Sequence, residues 1–368
     1  MMTIMRNIML TPYIVFAMAF FAFVLTCRLK VRTQAVWTMV LLACSAKFHV
    51  FRYICGSAFN PPEIPDWAII GWGLAFVWVS FLGCLALPLV WWHSKVKAWL
   101  LPTVAFAISL IGVWNAIKIP ELREVRLPFA NLPPGLDGYR IAVITDIHCS
   151  ASARRWRTER IVERVNSAKV DLICILGDNV DGQVADRLAD VEPLKGLRAP
   201  DGVFAVAGNH EYYHDYYGWM SVYNRLGLRF LENECVFPRP GLAVGGVPDM
   251  AAQRKHLTLP DVAKAFKAAT NGEFRVLLQH QPRSAHANLE GHGIDLQLSG
   301  HTHGGFMPVF MELVRRFNNG FLDGVYEFGD RKLLVSKGAG QWAGFPIRIC
   351  SSAELPIVVL ESGKRRRQ

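Results

Sequence analysis

RIAVITDIH at residues 140–148 and VDLICILGDNVDG at residues 170–182 are two apolar runs that end abruptly in polar residues. Runs of this length, rich in Ile, Val and Leu, are typical of strands buried on both faces. Similar runs follow at residues 202–207, 275–279, 295–298, 332–336 and 355–360, and amphipathic stretches separate several of them. Short buried strands that alternate with helices predict a layered α/β domain.

Metal-ligating residue types stand at the carboxyl ends of five consecutive predicted strands. Ligands of open α/β sheets gather at these ends, so we expect the side chains to face one region. The residues are Asp146, His148, Asp178, Asn209, His210, His280, His301 and His303.

This set of side chains predicts a metal site with two divalent ions. Carboxylate and amide oxygens suit hard divalent ions, and imidazole suits iron, manganese and zinc. One ion takes about four ligands, whereas this set offers about twice as many. Two ions about 3.5–4 Å apart clamp the attacking and leaving oxygens of a displacement at phosphorus.

The order of the motifs resembles the calcineurin-like metallophosphoesterases, in particular their membrane-associated bacterial YkuE-like and YaeI-like subfamily. The motifs are Asp146-x-His148, Gly177-Asp178-x-x-Asp181-Gly182, Gly208-Asn209-His210-Glu211, His280 and Gly300-His301-x-His303. The resemblance extends over roughly residues 120–362 and implies a four-layer α/β/β/α sandwich.

The resemblance also implies a role for each motif residue. The first ion would be held by Asp146, His148 and His303, the second by Asn209, His280 and His301, and Asp178 would bridge both. A metal-bridging hydroxide would be the nucleophile, and His210 would donate to a phosphate oxygen or to the leaving group. The ions would be manganese, iron or zinc.

Two residues near the motifs depart from the family pattern, and neither is a ligand. Gln281 stands where relatives often have Asn, and Phe306 where they often have Gln. The departures therefore concern the substrate pocket and leave the chemistry intact.

Substrate contacts are predicted for Arg154, Arg155 and Arg157, because guanidinium forks suit phosphate oxygens, and for His214. The alternatives are a solvated basic loop and a surface histidine.

The first third of the chain has a different composition. Of the 40 Lys and Arg and the 30 Asp and Glu, residues 1–117 contain eight and two, which leaves 32 and 28 for residues 118–368. The chain as a whole is 52% hydrophobic and 19% charged, which excludes a disordered, collagen-like or small disulfide-stapled protein. No stripe of basic and aromatic residues indicates a nucleic-acid surface, so no nucleic-acid partner is expected.

Four transmembrane helices are predicted in the first third, since each needs about 20 mostly apolar residues. They lie at residues 8–27, 35–55, 67–92 and 98–117. The basic loops after the first and third helices then mark the cytoplasmic side, and the catalytic domain faces the periplasm or the extracellular space. This orientation reverses if residues 35–55 do not span, because Lys47, His49 and Arg52 interrupt that stretch.

Several smaller features complete the organisation. A linker is predicted at residues 118–138, a metallophosphoesterase domain at residues 139–362, and a basic tail at residues 363–368. Residues 309–317 form an amphipathic stretch that either packs on the core or meets the bilayer. A disulfide between Cys235 and Cys350 is conceivable outside the cytoplasm.

The sequence thus predicts a multi-pass protein of the cell (inner) membrane that hydrolyses a phosphomonoester, a phosphodiester or a pyrophosphate. A lipid or lipid-linked substrate is favoured, because a soluble one needs no four-helix anchor. Two alternatives remain open. One is a pyrophosphate hydrolase of lipid A synthesis acting on a UDP-diacylglucosamine-type substrate, and the other is a non-catalytic metal-binding membrane sensor or scaffold.

Overall fold

The chain forms two compact units in its computed structural model, which describes residues 19–20, 30–46, 50, 53, 66–91, 99–341 and 346–363. One unit contains Met1–Ile117 together with Trp342–Ile349, and the other contains Lys118–Gln341 and Cys350–Gln368. The described helices of the first unit are α1 (Val31–Ser45), α2 (Asp66–Trp91) and α3 (Leu100–Ile117).

Helices α2 and α3 are long and apolar enough to cross a membrane. Their apolar stretches, Ala68–Ala86 and Leu100–Ile117, have mean hydropathies of 2.0 and 1.9. These match the third and fourth predicted spans, whereas α1 is too short to qualify. The first predicted span lies outside the described residues apart from residues 19–20, as do Lys47, His49 and Arg52. The described residues therefore support two membrane-spanning candidates.

A short segment distant in sequence also belongs to the first unit. The Arg348 backbone N–H donates to the Gly112 carbonyl on α3 at 2.9 Å. Ile347 is buried, and a Cβ atom at Gly112 would lie 2.8 Å from its Cγ1 atom. The last turn and a half of α3 is thus packed against residues that precede the final strand of the chain.

The second unit is built on two six-stranded sheets. The first sheet has the order β1 (Glu121–Phe129), β12 (Glu354–Ser362), β2 (Arg140–Ile144), β3 (Leu172–Ile175), β4 (Val203–Ala205) and β5 (Arg229–Phe230). The second has the order β10 (Gly324–Phe328), β11 (Arg331–Val335), β9 (Leu296–Ser299), β8 (Phe274–Leu278), β7 (Leu242–Gly246) and β6 (Glu234–Arg239). Strands β2 to β5 run parallel to one another, as do β7, β8, β9 and β11, whereas β12, β6 and β10 pair antiparallel with β2, β7 and β11.

Helices cover the outer face of each sheet and give the four layers that the resemblance implies. The described helices are α4 (Arg155–Ser167), α5 (Val184–Val191), α6 (Asn209–Tyr213), α7 (Tyr216–Arg225), α8 (Val262–Ala265), α9 (Ala285–Gly291) and α10 (Pro308–Phe317). Short 3-10 helices lie at Pro134–Leu136, Glu192–Gly196, Met250–Lys255, Pro282–Ser284 and His303–Gly305.

Strand β3 explains why its sequence is apolar throughout. Leu172 and Cys174 point into the core between the sheets, and Ile173 and Ile175 point into the core under the helices. Because successive side chains of a strand face opposite sides, a strand with cores on both sides has no polar position.

The predicted linker contains a strand, β1, which pairs in parallel with β12 over nine residues. The sequence did not predict this strand, because most of its side chains are exposed and it contains Pro128. Proline is tolerated here since β1 is an edge strand of its sheet, with no partner on one side. The unit thus begins near Lys118 rather than at residue 139.

The conceivable disulfide does not form, because Cys235 and Cys350 are both free thiols.

Candidate metal centre

Both sheets contribute to one cluster of polar side chains at the carboxyl ends of their parallel strands. Asp146 and His148 follow β2, Asp178 follows β3, and Asn209 and His210 open α6 after β4. From the second sheet, His280 follows β8, and His301 and His303 follow β9.

One group of ligand atoms consists of Asp146, His148 and His303, all buried. The two imidazole Nε2 atoms lie 3.1 Å apart. The Asp146 Oδ1 atom lies 3.5 Å from the His303 Nε2 atom and 3.9 Å from the His148 Nε2 atom. Three potential ligand atoms therefore converge on one point.

A second group consists of Asp178, His280 and His301. The Asp178 Oδ2 atom lies 3.2 Å from the His280 Nε2 atom and 3.9 Å from the His148 Nε2 atom of the first group. A single carboxylate is therefore shared by the two groups, as the bridging position requires.

The donor set fits divalent cations. The His280 Nδ1–H donates to the Leu176 carbonyl at 2.8 Å, which directs the Nε2 atom towards the site. Within the described ranges, that buried atom and the buried Asn209 Oδ1 atom have no hydrogen-bond partner. Buried lone pairs without partners are costly, and cations between them would remove that cost.

The backbone at the site is held in an uncommon conformation. Left-handed φ angles of 49° to 73° occur at five of the cluster residues, namely Asp146, His148, Asp178, His301 and His303. Such conformations cost of order 1–3 kcal/mol each and persist where the surroundings impose them, frequently at active sites.

Two glycines let the loops after β3 and β4 approach each other. Gly177 has a φ of 89°, and a Cβ atom there would lie 2.1 Å from the Gly208 nitrogen. A Cβ atom at Gly208 would in turn lie 2.2 Å from the Asp178 Oδ1 atom. Side chains at either position would displace the shared carboxylate.

Buried Glu211 holds the loops after β3 and β4 together through hydrogen bonds. Its carboxylate accepts the backbone N–H groups of Asp178, Asn179 and Gly208 at 2.8–2.9 Å. The sequence interpretation of Glu211 as a residue that orients loops agrees with these contacts.

Asp181 connects a ligand histidine to His210. Its Oδ1 atom contacts the His148 Nδ1 atom at 3.1 Å and also the His210 Nδ1 atom. Burial opposes ionisation of Asp181, but the two imidazoles hold its pKa well below the usual range. An ionised carboxylate can only accept, so both Nδ1 atoms donate to it and both Nε2 atoms face the cluster.

Electrostatics differ sharply among the histidines. Burial opposes charge on His210 and His280, but neighbouring carboxylates, Asp178 foremost, raise their pKa values to about 9 and about 10. At His301 burial and the charge of His280 lower the pKa to about 3. The shared carboxylate dominates the field of the site.

The residues predicted to contact substrate have other partners. Arg155 pairs with Glu159 and Glu192 at 2.7 Å, and the Arg154 Nε–H donates to the Ala151 carbonyl. Arg157 is buried and donates to the Ala339 carbonyl. His214 is half-buried, and its Nε2 atom lies 4.0 Å from the Asp181 Oδ1 atom.

Three residues near the site escaped the sequence analysis. Asp249 follows β7 and is buried, and Arg283 lies three residues after His280. Arg254 stacks on the ring of Tyr213, 5.3 Å from its centroid, and that ring lies 5.4 Å from His210. Asp249 could have been found from the sequence, because it follows the end of strand β7 as the other site residues follow their strands.

The two departures from the family pattern both lie beside ligands. The Gln281 side chain donates to the Asp249 Oδ1 atom at 3.0 Å. Phe306 stacks on the ligand candidate His303 with 4.9 Å between ring centroids.

Comparison with known proteins identifies the domain. The family model described as calcineurin-like phosphoesterase matches residues 139–305. An uncharacterized metallophosphoesterase of Helicobacter pylori strain J99 is 34% identical over 263 residues, which cover 70% of this chain and 70% of that protein. YkuE of Bacillus subtilis, also an uncharacterized metallophosphoesterase, is 28% identical over 66% of this chain and 86% of its own length.

A relative from Danio rerio is described as a transmembrane protein with metallophosphoesterase domain. It is 33% identical over 273 residues, which cover 70% of this chain and 61% of that protein. A dimetal phosphatase structure from Danio rerio covers 55% of this chain and 88% of its own, with 12% identity and a TM-score of 0.35, too low to support a conclusion. By its motifs, its two sheets and these relatives, the chain belongs to the calcineurin-like metallophosphoesterases, hydrolases that act on phosphate esters.

Proposed function

We propose that this protein is a membrane-anchored phosphoesterase with two divalent metal ions, acting on a lipid or lipid-linked phosphate. The observation that carries the proposal is the shared Asp178 carboxylate, which lies 3.9 Å from the His148 Nε2 atom and 3.2 Å from the His280 Nε2 atom. A bridging carboxylate between two clusters of histidines is the donor arrangement that a pair of ions requires.

We assign one ion to the first group of ligand atoms and the other to the second. The ligands would be Asp146, His148 and His303 for the first, Asn209, His280 and His301 for the second, and Asp178 for both. The donor types admit manganese, iron or zinc. When bound, the pair would activate water as the nucleophile and offset the charge of the phosphoryl group.

His210 would supply the proton. Its Nδ1–H donates to Asp181, which fixes the ring, and its pKa of about 9 keeps it protonated at neutral pH. The Nε2–H would then donate to a phosphoryl oxygen or to the leaving oxygen. Asp181 would orient both His210 and His148, since the one carboxylate oxygen contacts both rings.

The membrane part of the proposal is supported by helices α2 and α3 and by one surface of the catalytic unit. Helix α10 exposes Phe310, Leu313 and Phe317 by 44%, 49% and 64%. These residues follow the i, i+3, i+7 spacing and form one apolar stripe beside Arg315 and Arg316. A basic and apolar helix of this kind suits the headgroup region of an anionic bilayer.

The orientation proposed from the basic loops is outward, with the catalytic unit in the periplasm or extracellular space. It depends on residues 35–55 spanning the bilayer. An impermeant cysteine reagent applied to intact cells tests it, because Cys350 is exposed in the catalytic unit. Labelling only after lysis would place the unit in the cytoplasm instead.

The decisive experiment is metal-dependent hydrolysis by the full-length protein in detergent, on phosphomonoesters, phosphodiesters and phospholipid-type substrates. Manganese should restore turnover to chelator-treated protein. We expect Asp178→Asn to abolish both metal binding and turnover, and His210→Ala to lower turnover by about 10²–10⁴-fold with two ions still bound.

A surface histidine provides the matched control. His292→Ala removes an exposed imidazole outside the cluster and should leave turnover intact. No turnover on any ester by protein that binds two ions would support a metal-binding scaffold and overturn the proposal.

A further inference from the structure

A cavity of about 440 Å³ is lined by both sequence neighbours of the proposed ligand His280, namely Gln279 and Gln281. Its volume falls in the range of small-ligand sites. Most of the surface that its walls expose is apolar, and the lining residues include Asp249, Gln279, Gln281, Arg283, His286 and Asn319.

Chain connectivity and one hydrogen bond relate the cavity to the second group of ligand atoms. Gln279 and Gln281 flank His280 in sequence and both line the cavity. The Gln281 side chain donates to the Asp249 Oδ1 atom at 3.0 Å, and Arg283, which also lines the cavity, follows His280 by three residues. A phosphoryl group held at the second group of ligands therefore has this cavity as a neighbour.

Some polar side chains of the cavity already form hydrogen bonds within the protein, and others could bind a ligand. Asp249 accepts from the Ala251 backbone at 2.8 Å and from Gln281 at 3.0 Å through the same oxygen, so its charge is partly offset. The Gln279 Oε1 atom accepts from Asn288 at 2.6 Å and from Ser284 at 3.3 Å. Both residues mainly stabilise the wall.

Arg283 is the available group. Within the described parts of the chain, its guanidinium forms no ion pair, and its backbone carbonyl accepts from Asn319 at 2.9 Å. The short 3-10 helix Pro282–Ser284 thus fixes the backbone while the exposed guanidinium borders the cavity. Guanidinium groups bind carboxylate and phosphate oxygens through paired N–H donors.

We propose that this cavity holds the leaving group of the substrate and that Arg283 binds a second anionic group carried by that leaving group. The inference rests on the proposed hydrolysis and narrows its substrate class. Preferred substrates are esters whose leaving portion carries its own phosphate or carboxylate. Gln281 and Asn319 each use one amide N–H within the protein, and the second N–H of each amide is a further donor to the polar part of that group.

Three soluble esters test the proposal on the manganese-loaded full-length protein. Phenyl phosphate has a neutral leaving group, whereas 4-carboxyphenyl phosphate and 4-phosphonophenyl phosphate carry a distal anion. We expect Arg283→Ala to raise KM for the two charged esters about tenfold more than KM for phenyl phosphate. Arg283→Lys keeps a point charge and should recover part of the difference.

Arg160→Ala is the matched control, since it removes one positive charge from an exposed arginine that pairs with Glu163 on helix α4. Equal changes in KM for all three esters in Arg283→Ala, or the same selectivity loss in Arg160→Ala, would overturn the proposal.

Calorimetry separates this inference from the proposed function. Wild-type protein loaded with manganese should bind methylenediphosphonate more tightly than phosphate, and Arg283→Ala should remove that preference. If no ester is hydrolysed but this preference depends on Arg283, the anion site stands and the hydrolase proposal fails. If hydrolysis proceeds without the preference, only the anion site fails.

Discussion

Asp181 is the residue on which two functions of the site depend. One of its oxygens contacts His148, a proposed ligand, and His210, the proposed proton donor. Partners that lie behind ligands in this way typically change metal affinity or activity by 10–100-fold when replaced. The same carboxylate contributes to the raised pKa of His210.

Replacement of Asp181 by Asn should therefore shift the pH dependence of turnover. The wild-type imidazolium of His210 persists up to its pKa of about 9, so activity should fall above that pH. Loss of the Asp181 charge lowers the pKa of His210, and the alkaline limb of the kcat profile should move to lower pH. The profile is to be measured at saturating manganese, which separates this shift from weaker metal binding. An unmoved alkaline limb would assign it to another group.

For individual residues, the sequence predicted the site correctly where metal-ligating residue types occur in motifs at strand ends. The eight cluster residues were predicted because acidic, amide and imidazole side chains follow apolar strands. Arg154, Arg155 and Arg157 were weaker predictions, since a basic run does not reveal that Arg157 is buried against Ala339 or that Arg155 pairs with two glutamates. Arg283 and Arg254 carry no local signal, because only the folded chain brings them near the site.

Strands β1 and β7 were not predicted from the sequence, because neither has the hydrophobic pattern of a typical strand. In β1 only Leu127 and Phe129 are buried, so the alternation that marks a strand is confined to its last residues. In β7 the two terminal glycines weaken the strand pattern. A Cβ atom at Gly245 would lie 2.4 Å from the Phe266 ring, so helix packing rather than strand propensity dictates that residue. Asp249 was missed together with its strand.

Helix α10 combines features of the two roles that its sequence left open. Its Met311 and Val314 side chains are half-buried, while Phe310, Leu313 and Phe317 form the exposed stripe. The helix therefore has both an inward face and an apolar outward face. Glu312 pairs with Arg315 and Arg316, which leaves the helix with one net positive charge.

The double substitution Leu313→Ser and Phe317→Ser should separate lipid from soluble substrates. Both residues are exposed, so folding is not expected to change. Under the proposed bilayer contact of this stripe, loss of the two side chains should lower kcat/KM for a vesicle-borne phosphate ester by about tenfold or more. Turnover of a soluble ester should be retained. Phe237→Ser, which removes an exposed aromatic side chain of strand β6, is the control. An equal decrease in kcat/KM for the vesicle-borne and the soluble ester would show that the apolar stripe has no role in access to lipid substrates.

On the scale of the whole molecule, the division into two units does not follow the order of the chain. Residues 342–349 lie between β11 and β12 of the catalytic unit yet belong to the unit that contains α3. Sequence patterns favour contiguous domains, so a boundary near residue 118 was predictable and the return of this segment was not.

A fragment of residues 118–368 should therefore fold poorly in water. Without α3, Ile347 and Arg348, both buried in the intact chain, would lose their contacts with Gly112. We expect aggregation in size-exclusion chromatography and enhanced binding of a hydrophobic dye. Replacement of residues 342–349 by a Gly/Ser linker of equal length should restore a monodisperse fragment. A soluble, dye-negative fragment without that replacement would contradict the assignment of these residues to the first unit.

The segment at 342–349 also has a consequence for how such proteins diversify. Two residues beside its ends contact proposed ligands: the Gly340 N–H donates to the Asp146 carbonyl at 2.8 Å, and the Ser351 hydroxyl donates to the His303 carbonyl at 2.6 Å. The first unit is therefore not an interchangeable module. A chimaera that received foreign helices would also need a surface on them that fits this segment, so the two units are expected to change together.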